Sequence, residues 1–575
     1  MSAAAIAPRR WLRWPKLSPV MCTAVLAVML VLVLYPILLL IYSSFLVDEG
    51  SKQHLSLELW RTAWFQAGIL DSVVNTFLRV VATEFIAFPI AVMMAWLVAR
   101  TDIPGKKYID AFCWIAFFLP ALPVLMGWIL LFDPQFGLAN QAVKAVFGLA
   151  EGPFNIYTFS GIIFAHLASR SIAAKYIFIV PAFRNLDASI EEASHIAGAG
   201  PLYTVWKIVV PVLMPALLIT LCISLIHSLE SFEIELILGP SQGFYVFSTK
   251  IYQLIHEDPP MFGAATVLGL AILVSMLPLI FWQQFISHKR SAVTVTGHVS
   301  TQVMRLHAWR MPLTVLIFGF GVVITVVPLF FLLLGTFMNL YGMFNIAQVW
   351  TLKHWMTVLT DGPLLKSTAN TLIMGGSAAA IGVFWYAIVA YVSVRTRYVA
   401  RGTIDFLSWL PSSLPGIVLG LALLWMFLNV PLFRPLYGTI LVLILACILM
   451  SISTGVQLIK SNMVQLGQEL EEASFICGGS WLQTFRKVVL PLLTPVLVSV
   501  ALLTFAAAAR NVSTIAMLIT AENRPLAMLQ VDYMVDGLFE AASVSGVLIV
   551  LLTLGVALIA RLIGRWFGFS GLRHS

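Results

Sequence analysis

The chain has 575 residues, 60% of them hydrophobic and only 10% charged, with a mean hydropathy of +0.95 and a formal net charge of +8. About a quarter of the residues of a soluble domain are charged, so this composition excludes a water-soluble globular protein and indicates an all-α integral membrane protein with the lipid bilayer as its solvent. No basic patch is interleaved with aromatics, so the excess of Lys and Arg is a topology signal and nucleic acid is not a partner; the scattered Cys22, Cys113, Cys222, Cys447 and Cys477 have neither metal-ligand nor disulfide spacing.

Arg9, Arg10, Arg13 and Lys16 precede an apolar run from about Val20 to Phe45. A secretory signal has an apolar core of about 7–15 residues, so this longer run reads as a retained span despite the twin-arginine look of Arg9-Arg10. Twelve spans are predicted at about 20–45, 72–99, 110–132, 158–183, 212–238, 263–286, 312–337, 367–394, 404–427, 437–460, 492–519 and 541–563. Arg170 and Lys175 interrupt the fourth. With the N-terminus inside, 22 of the 34 Lys and Arg residues fall in cytoplasmic segments, 8 outside and 4 within spans. That bias predicts a multi-pass protein with both termini cytoplasmic.

The chain repeats itself. Leu70–Thr76 (LDSVVNT) matches Leu365–Thr371 (LKSTANT), and Arg100-Thr101, Ile109-Asp110 and Leu119-Pro120 match Arg395-Thr396, Ile404-Asp405 and Leu414-Pro415, all at an offset of 295. Further on, EEASHIAGAGPLYTVWKIVVP (Glu191–Pro211) aligns without a gap on EEASFICGGSWLQTFRKVVLP (Glu471–Pro491), at an offset of 280. The first half therefore carries about 15 extra residues, assigned to the outside loop around 133–157. An even number of spans per half keeps the orientation, which makes a parallel repeat of two six-helix halves. The expected division is 1–69 (tail, first span, outside loop), 70–286 (first repeat), 287–365 (basic linker, seventh span, outside loop), 366–563 (second repeat) and 564–575 (tail).

Both repeated loops lie on the cytoplasmic side of this topology. Each reads as a short helix opened by Glu191-Glu192 or Glu471-Glu472, where acids suit the helix dipole. Gly198 or Gly478 follows where a left-handed residue can end it. A second short helix runs to Pro211 or Pro491, prolines expected to limit helix continuity at re-entry into the membrane.

These loops resemble the Glu-Ala-Ala-x3-Gly-x9-Ile-x-Leu-Pro signature of the membrane subunits of bacterial binding-protein-dependent ABC importers of the type I fold. Glu192, Ala193, Ser194, Gly198, Ile208 and Pro211 match it once, and Glu472, Ala473, Ser474, Gly478, Val488, Leu490 and Pro491 match it again. Ser replaces the second Ala in both copies, Val210 replaces Leu, and Val488 replaces Ile. The resemblance implies that each loop docks on a cytosolic ATPase, two copies in all, and that a periplasmic binding protein delivers the solute across the inner membrane. The chain has no phosphate-cradling G-x4-GK[ST] pattern; Gly105-Lys106-Lys107 lacks the preceding glycine. ATP and Mg would therefore belong to the partner ATPase, with no cofactor, no metal and no catalytic residue in this chain. Fused double-length permeases of this kind resemble the ferric iron group most, with thiamine, aminoethylphosphonate and polyamine permeases as alternatives. Ser231–Gly239 (SFEIELILG) looks like the corresponding stretch of iron permeases.

Ionisable groups inside spans are costly and usually face a cavity or each other. Glu84, Arg170, Lys175, Glu230, Glu233, Glu235 and Arg510 are such groups. Glu230 and Arg510 share the offset of 280, so they are expected to pair or to line a gate, with Glu233 and Asn511 nearby; the competing reading has both snorkelling at the outer interface. His166, His227 and His256 have no ligand spacing, and Pro120 and Pro415 need not mark a site. A secondary transporter is the rival class, since it too can have two parallel six-span halves, but it has no use for paired docking loops. A membrane enzyme would need a catalytic cluster, and no Ser/His/Asp set or H-E-x-x-H is present.

Overall fold

The computed structural model describes residues 18–49, 52–288 and 304–566. Among them, ten helices are long and apolar enough to cross a bilayer, and two further segments are bent helix pairs, which brings the number of spans to twelve if each pair counts once. A two-stranded antiparallel hairpin, Leu46–Glu49 with Lys52–Leu55, follows the first helix.

The bent pairs lie at the spans expected at 110–132 and 404–427. Lys106–Phe118 meets Ala121–Phe132 at 102°, and Arg401–Ser413 meets Gly416–Asn429 at 113°. Proline is the cause. It lacks the N–H a helix needs and forces the preceding residue out of the helical region. Leu119 is extended at φ −63°, ψ 133° and Leu414 at φ −101°, ψ 129°. Pro120 and Pro415 thus mark a structural feature after all.

Pro211 and Pro491 behave in the opposite way to that expected. The helix runs from Pro201–Thr204 through a π turn, Val205–Val209, into Val210–Leu229. Its counterpart runs from Trp481–Thr484 through Phe485–Val489 into Leu490–Ala509. The widened turn ahead of each proline absorbs the missing hydrogen bond, so the helix continues. The fourth span also contains a π turn, Leu167–Ser171, with Ser169 out of the helical region at φ −104°, ψ −130°. Its second-half equivalent, Ile440–Gln465, is unbroken.

The register of the repeat is visible in equivalent hydrogen bonds. The Phe247 N–H donates to Thr76 Oγ1 (2.9 Å), as Leu526 N–H does to Thr371 Oγ1 (2.8 Å). Asn75 donates to the Tyr245 carbonyl (3.1 Å), as Asn370 does to that of Arg524 (3.0 Å). The first half's extra residues include the helix Leu138–Phe147. Asn140 within it donates to the Asp133 and Phe154 carbonyls at 2.8 and 2.7 Å.

The two helices that lead into the repeats are exchanged. Pro19–Ser43 packs on Gly416–Asn429 and Arg401–Trp409, both in the second half. Arg310–Gly335 packs on Ala121–Phe132 and Lys106–Phe118, both in the first. The second crossing is close: a Cβ on Gly127 would lie 2.1 Å from the Pro328 carbonyl oxygen. Tyr341 reinforces it by donating to the Met126 carbonyl at 2.8 Å.

Candidate docking loops and translocation path

In the first loop the helix Ala188–Ile196 is followed by Gly198 at φ +82° and then Pro201–Thr204. In the second, Glu469–Ile476 is followed by Gly478 at φ +81° and then Trp481–Thr484. Both glycines occupy the left-handed region that ends a helix without steric cost. The serines that depart from the family signature join the two short helices of each loop: Ser194 and Thr204 hydroxyls lie 2.8 Å apart, as do those of Ser474 and Thr484.

Each loop is also tied to the end of its half's long helix. Arg100, the last residue of Ile69–Arg100, contacts Glu191 at 2.5 and 3.2 Å and donates to the Leu186 carbonyl at 3.2 Å. Arg395, the last residue of Gly362–Arg395, lies 3.0 Å from Glu471 and donates to the Met463 and Leu466 carbonyls. Tyr391 adds a hydroxyl to Glu471 at 2.9 Å. Glu191 and Glu471 are therefore turned inward as anchors, whereas Glu192 and Glu472 are only partly buried, and Ala193 and Ala473 are exposed. Ile196 and Ile476 stand on the open face, 87% and 67% exposed, at equivalent positions. Sequence reasoning missed Arg100 and Arg395 as anchors, and Ile196 and Ile476 as the apolar centre of that face. The offsets of 295 and 280 carry the signal for both pairs.

Between the halves lies a cavity of about 520 Å3, lined by Glu84, Arg170, Lys175, Glu230 and Glu233 from the first half and Arg510 and Asn511 from the second, with Leu119 and Leu414 of the two bends also in its wall. Glu230 and Glu233 fall at the break between Val210–Leu229 and Glu233–Leu238, inside a membrane segment that continues to Leu238. Arg510 caps Leu490–Ala509. The irregular chain after it packs closely on Gly416–Asn429, where a Cβ on Gly420 would meet the Thr514 carbonyl at 2.3 Å.

The predicted pairing of Glu230 with Arg510 is not found. Glu230 contacts His227 at 3.2 Å, and Arg510 donates to the Phe117 carbonyl at 3.2 Å; what they share is the cavity. Asn511 donates to the Met450 sulfur (3.0 Å) and accepts from the Thr514 N–H (3.2 Å). Behind the wall, Arg79 contacts Glu235 at 3.0 Å, both fully buried, and His166, itself in the cavity wall, reaches the same carboxylate at 2.9 Å. Lys175 contacts Glu84 at 3.0 Å. Among the described residues no group of three or more His, Cys, Asp or Glu is placed to hold a metal ion.

Nearly all of this charge belongs to one half. Applying the repeat offsets, Arg79, Glu84, His166, Arg170, Lys175 and Glu235 correspond to Met374, Ala379, Ala446, Met450, Gly455 and Ile515. Tyr386 fills the second half instead, close against Gly455, with its hydroxyl donating to the Ile448 carbonyl at 2.7 Å.

The chain is 27% identical over 539 residues to the ferric transport system permease protein FbpB of Actinobacillus pleuropneumoniae, covering 92% of this chain and 75% of that protein. It is 28% identical over 499 residues to a putative ferric transport system permease protein FbpB 1 of Haemophilus influenzae, covering 86% and 76%. A bacterial alginate ABC transporter crystallised with its alginate-bound periplasmic protein matches 48% of this chain and 95% of its own, at 18% identity and a TM-score of 0.40. The family described as binding-protein-dependent transport system inner membrane component matches twice, at residues 72–292 and 378–568. With both halves matched, the chain belongs to the family of inner membrane components of binding-protein-dependent transport systems.

Proposed function

We propose that this permease carries ferric iron inward, driven by two copies of a cytosolic ATPase that dock on the Glu192/Ile196 and Glu472/Ile476 faces. The observation that carries the docking reading is the duplicated loop: the same inward glutamate, Ser–Thr bond, left-handed glycine and exposed isoleucine at the same spacing. A loop that only connected two helices would have no need to hold an apolar residue out in water twice. The ferric assignment is supported by the relatives named for ferric transport, which align over most of the chain. A periplasmic protein would bring the solute to the outer face. Lys and Arg bias supports cytoplasmic termini in a bacterial inner membrane. Residues 70–286 and 366–563 act in this reading as two covalently joined permease subunits.

The test is purification of the full chain from its native membrane in mild detergent, with its partners identified by mass spectrometry, alongside uptake of 55Fe by cells. An ATPase should co-purify, and uptake should stop when ATP is depleted. Ile196→Asp with Ile476→Asp should release the ATPase while the permease stays in the membrane. Uptake abolished by a protonophore at normal ATP, with no ATPase bound, would identify a secondary transporter instead.

A further inference from the structure

Two guanidiniums reach the cavity from opposite halves and converge on one residue. Arg170 sits at the π turn of the fourth span, its guanidinium 5.7 Å from the Phe117 ring centre. Among the described residues it has neither a hydrogen bond nor an ion pair. Arg510 uses one N–H on the Phe117 carbonyl at 3.2 Å and has no other hydrogen bond among the described residues. Glu233 is within electrostatic range of both arginines but closes on neither. Like charges held together with open donors inside a membrane protein are costly unless a ligand completes them. The planar fork of Arg matches the paired oxygens of carboxylate and phosphate.

We infer that the cavity holds its cargo by oxyanion oxygens, seated between Arg170 of the first half and Arg510 of the second. The inference rests on the importer reading above and specifies the form of its cargo. A bare ferric ion would meet two fixed positive charges here. Iron still wrapped in carboxylate or phosphate ligands offers oxygens to the arginines and a positive centre to Glu230 and Glu233. The cavity's 520 Å3 falls within the roughly 300–1,000 Å3 of small-molecule sites, far more than a bare ion needs. A small zwitterion such as aminoethylphosphonate would present the same oxyanion chemistry. Because Arg170 has only Met450 as its counterpart, the seat occurs once, asymmetrically placed between two symmetric halves.

The experiment is equilibrium binding to the full chain in lipid nanodiscs, with 55Fe-labelled ferric citrate, iron-free labelled citrate and labelled aminoethylphosphonate as separate probes. Ferric citrate should bind saturably. Arg170→Gln and Arg510→Gln should each weaken it about tenfold or more, the scale of a lost charge-assisted hydrogen bond. Arg170→Lys and Arg510→Lys, which keep the charge but lose the fork, should fall between, and they guard against a variant that fails to fold. Absence of binding by all three probes, or wild-type binding in both Gln variants, overturns the inference. Arginine-dependent binding of aminoethylphosphonate or free citrate, without ferric citrate, keeps the seat and overturns the ferric reading. Wild-type 55Fe uptake by cells carrying both Gln substitutions keeps the ferric reading and overturns the seat.

Discussion

Arg395 and Glu471 meet at 3.0 Å with side chains only 6% and 11% exposed, and the same relationship recurs between Arg100 and Glu191. Arg395→Ala leaves Glu471, among the described residues, with only the Tyr391 hydroxyl. Removing one member of a buried ion pair costs about 3–5 kcal/mol, chiefly through the charge left behind. The Glu191 side is more open, 19% exposed, so Arg100→Ala should cost less. The expected outcome is faster hydrogen exchange over Glu469–Thr484 in Arg395→Ala than over Ala188–Thr204 in Arg100→Ala. Equal protection in both variants and the wild type would show that the arginines do not hold the loops.

The two serines can be told apart by their partners. Thr204 also donates to the Gly200 carbonyl at 3.1 Å, whereas the buried Thr484 has no second side-chain bond among the described residues. Ser194→Ala, which restores the family's alanine, should be nearly silent. Ser474→Ala should destabilise its loop by about 1–3 kcal/mol, the cost of a buried hydroxyl left unpaired. Limited proteolysis of the two loops in purified protein measures the difference.

The buried Arg79–Glu235–His166 cluster can be replaced by what stands at its own counterparts. Glu235→Ile alone leaves Arg79 with its hydrogen bonds to the Ser228 hydroxyl and carbonyl (2.9 and 2.6 Å) but without the contacting carboxylate, and should lower thermal stability sharply. The triple variant Arg79→Met, Glu235→Ile, His166→Ala imports the Met374, Ile515 and Ala446 pattern and should recover much of that loss, because apolar replacement of a whole buried ion cluster is often neutral. Thermal unfolding in detergent of the single and triple variants decides it; a triple no more stable than the single would mean the charges do more than satisfy one another.

Acid should loosen the contact between Asp102 and Leu306. The Leu306 N–H donates to Asp102 at 2.9 Å, and with Arg310 nearby it holds that carboxyl below the usual carboxylate range. A depressed pKa means the contribution is present in full above the ordinary carboxylate value and is lost as pH falls through the lowered one. Exchange at the Leu306 amide should therefore stay protected at neutral pH and open under acid. Asp102→Asn should remove that pH dependence.

Gly127 offers a steric test of the exchanged helices. Gly127→Val puts carbon where the Pro328 carbonyl already lies and should cost at least about 1–3 kcal/mol through overpacking. A disulfide or crosslink reporter between Ala121–Phe132 and Arg310–Gly335 should lose yield in that variant.

Much of this architecture is legible in the sequence, because apolar length and a repeated polar loop are local properties. The Gly198 and Gly478 conformations follow from glycine after a short helix, and the Asn75/Asn370 and Thr76/Thr371 matches become equivalent bonds. The rest depends on partners the sequence does not identify. Apolar windows run straight through Leu119-Pro120 and Leu414-Pro415, so neither bend registers. Two adjacent glutamates read alike until Arg100 or Arg395 selects the first. Matching Glu230 with Arg510 by register places both at one cavity but not in one bond, since His227 and the Phe117 carbonyl are their partners. Which half a leading helix packs against leaves no trace in its own composition.

That exchange has a consequence for how the protein is made. The helix Pro19–Ser43 is synthesised among the first, yet its seat on Arg401–Trp409 and Gly416–Asn429 does not exist until most of the second half has been translated and inserted. Such late, sequence-distant contacts are slow to form. Until then the early helix can pack only against Phe262–His288 of the first half, with the larger part of its seat still missing. A ribosome stalled between the two halves would leave a membrane intermediate with one helix waiting for most of its seat and one seat, on Ala121–Phe132, waiting for a helix.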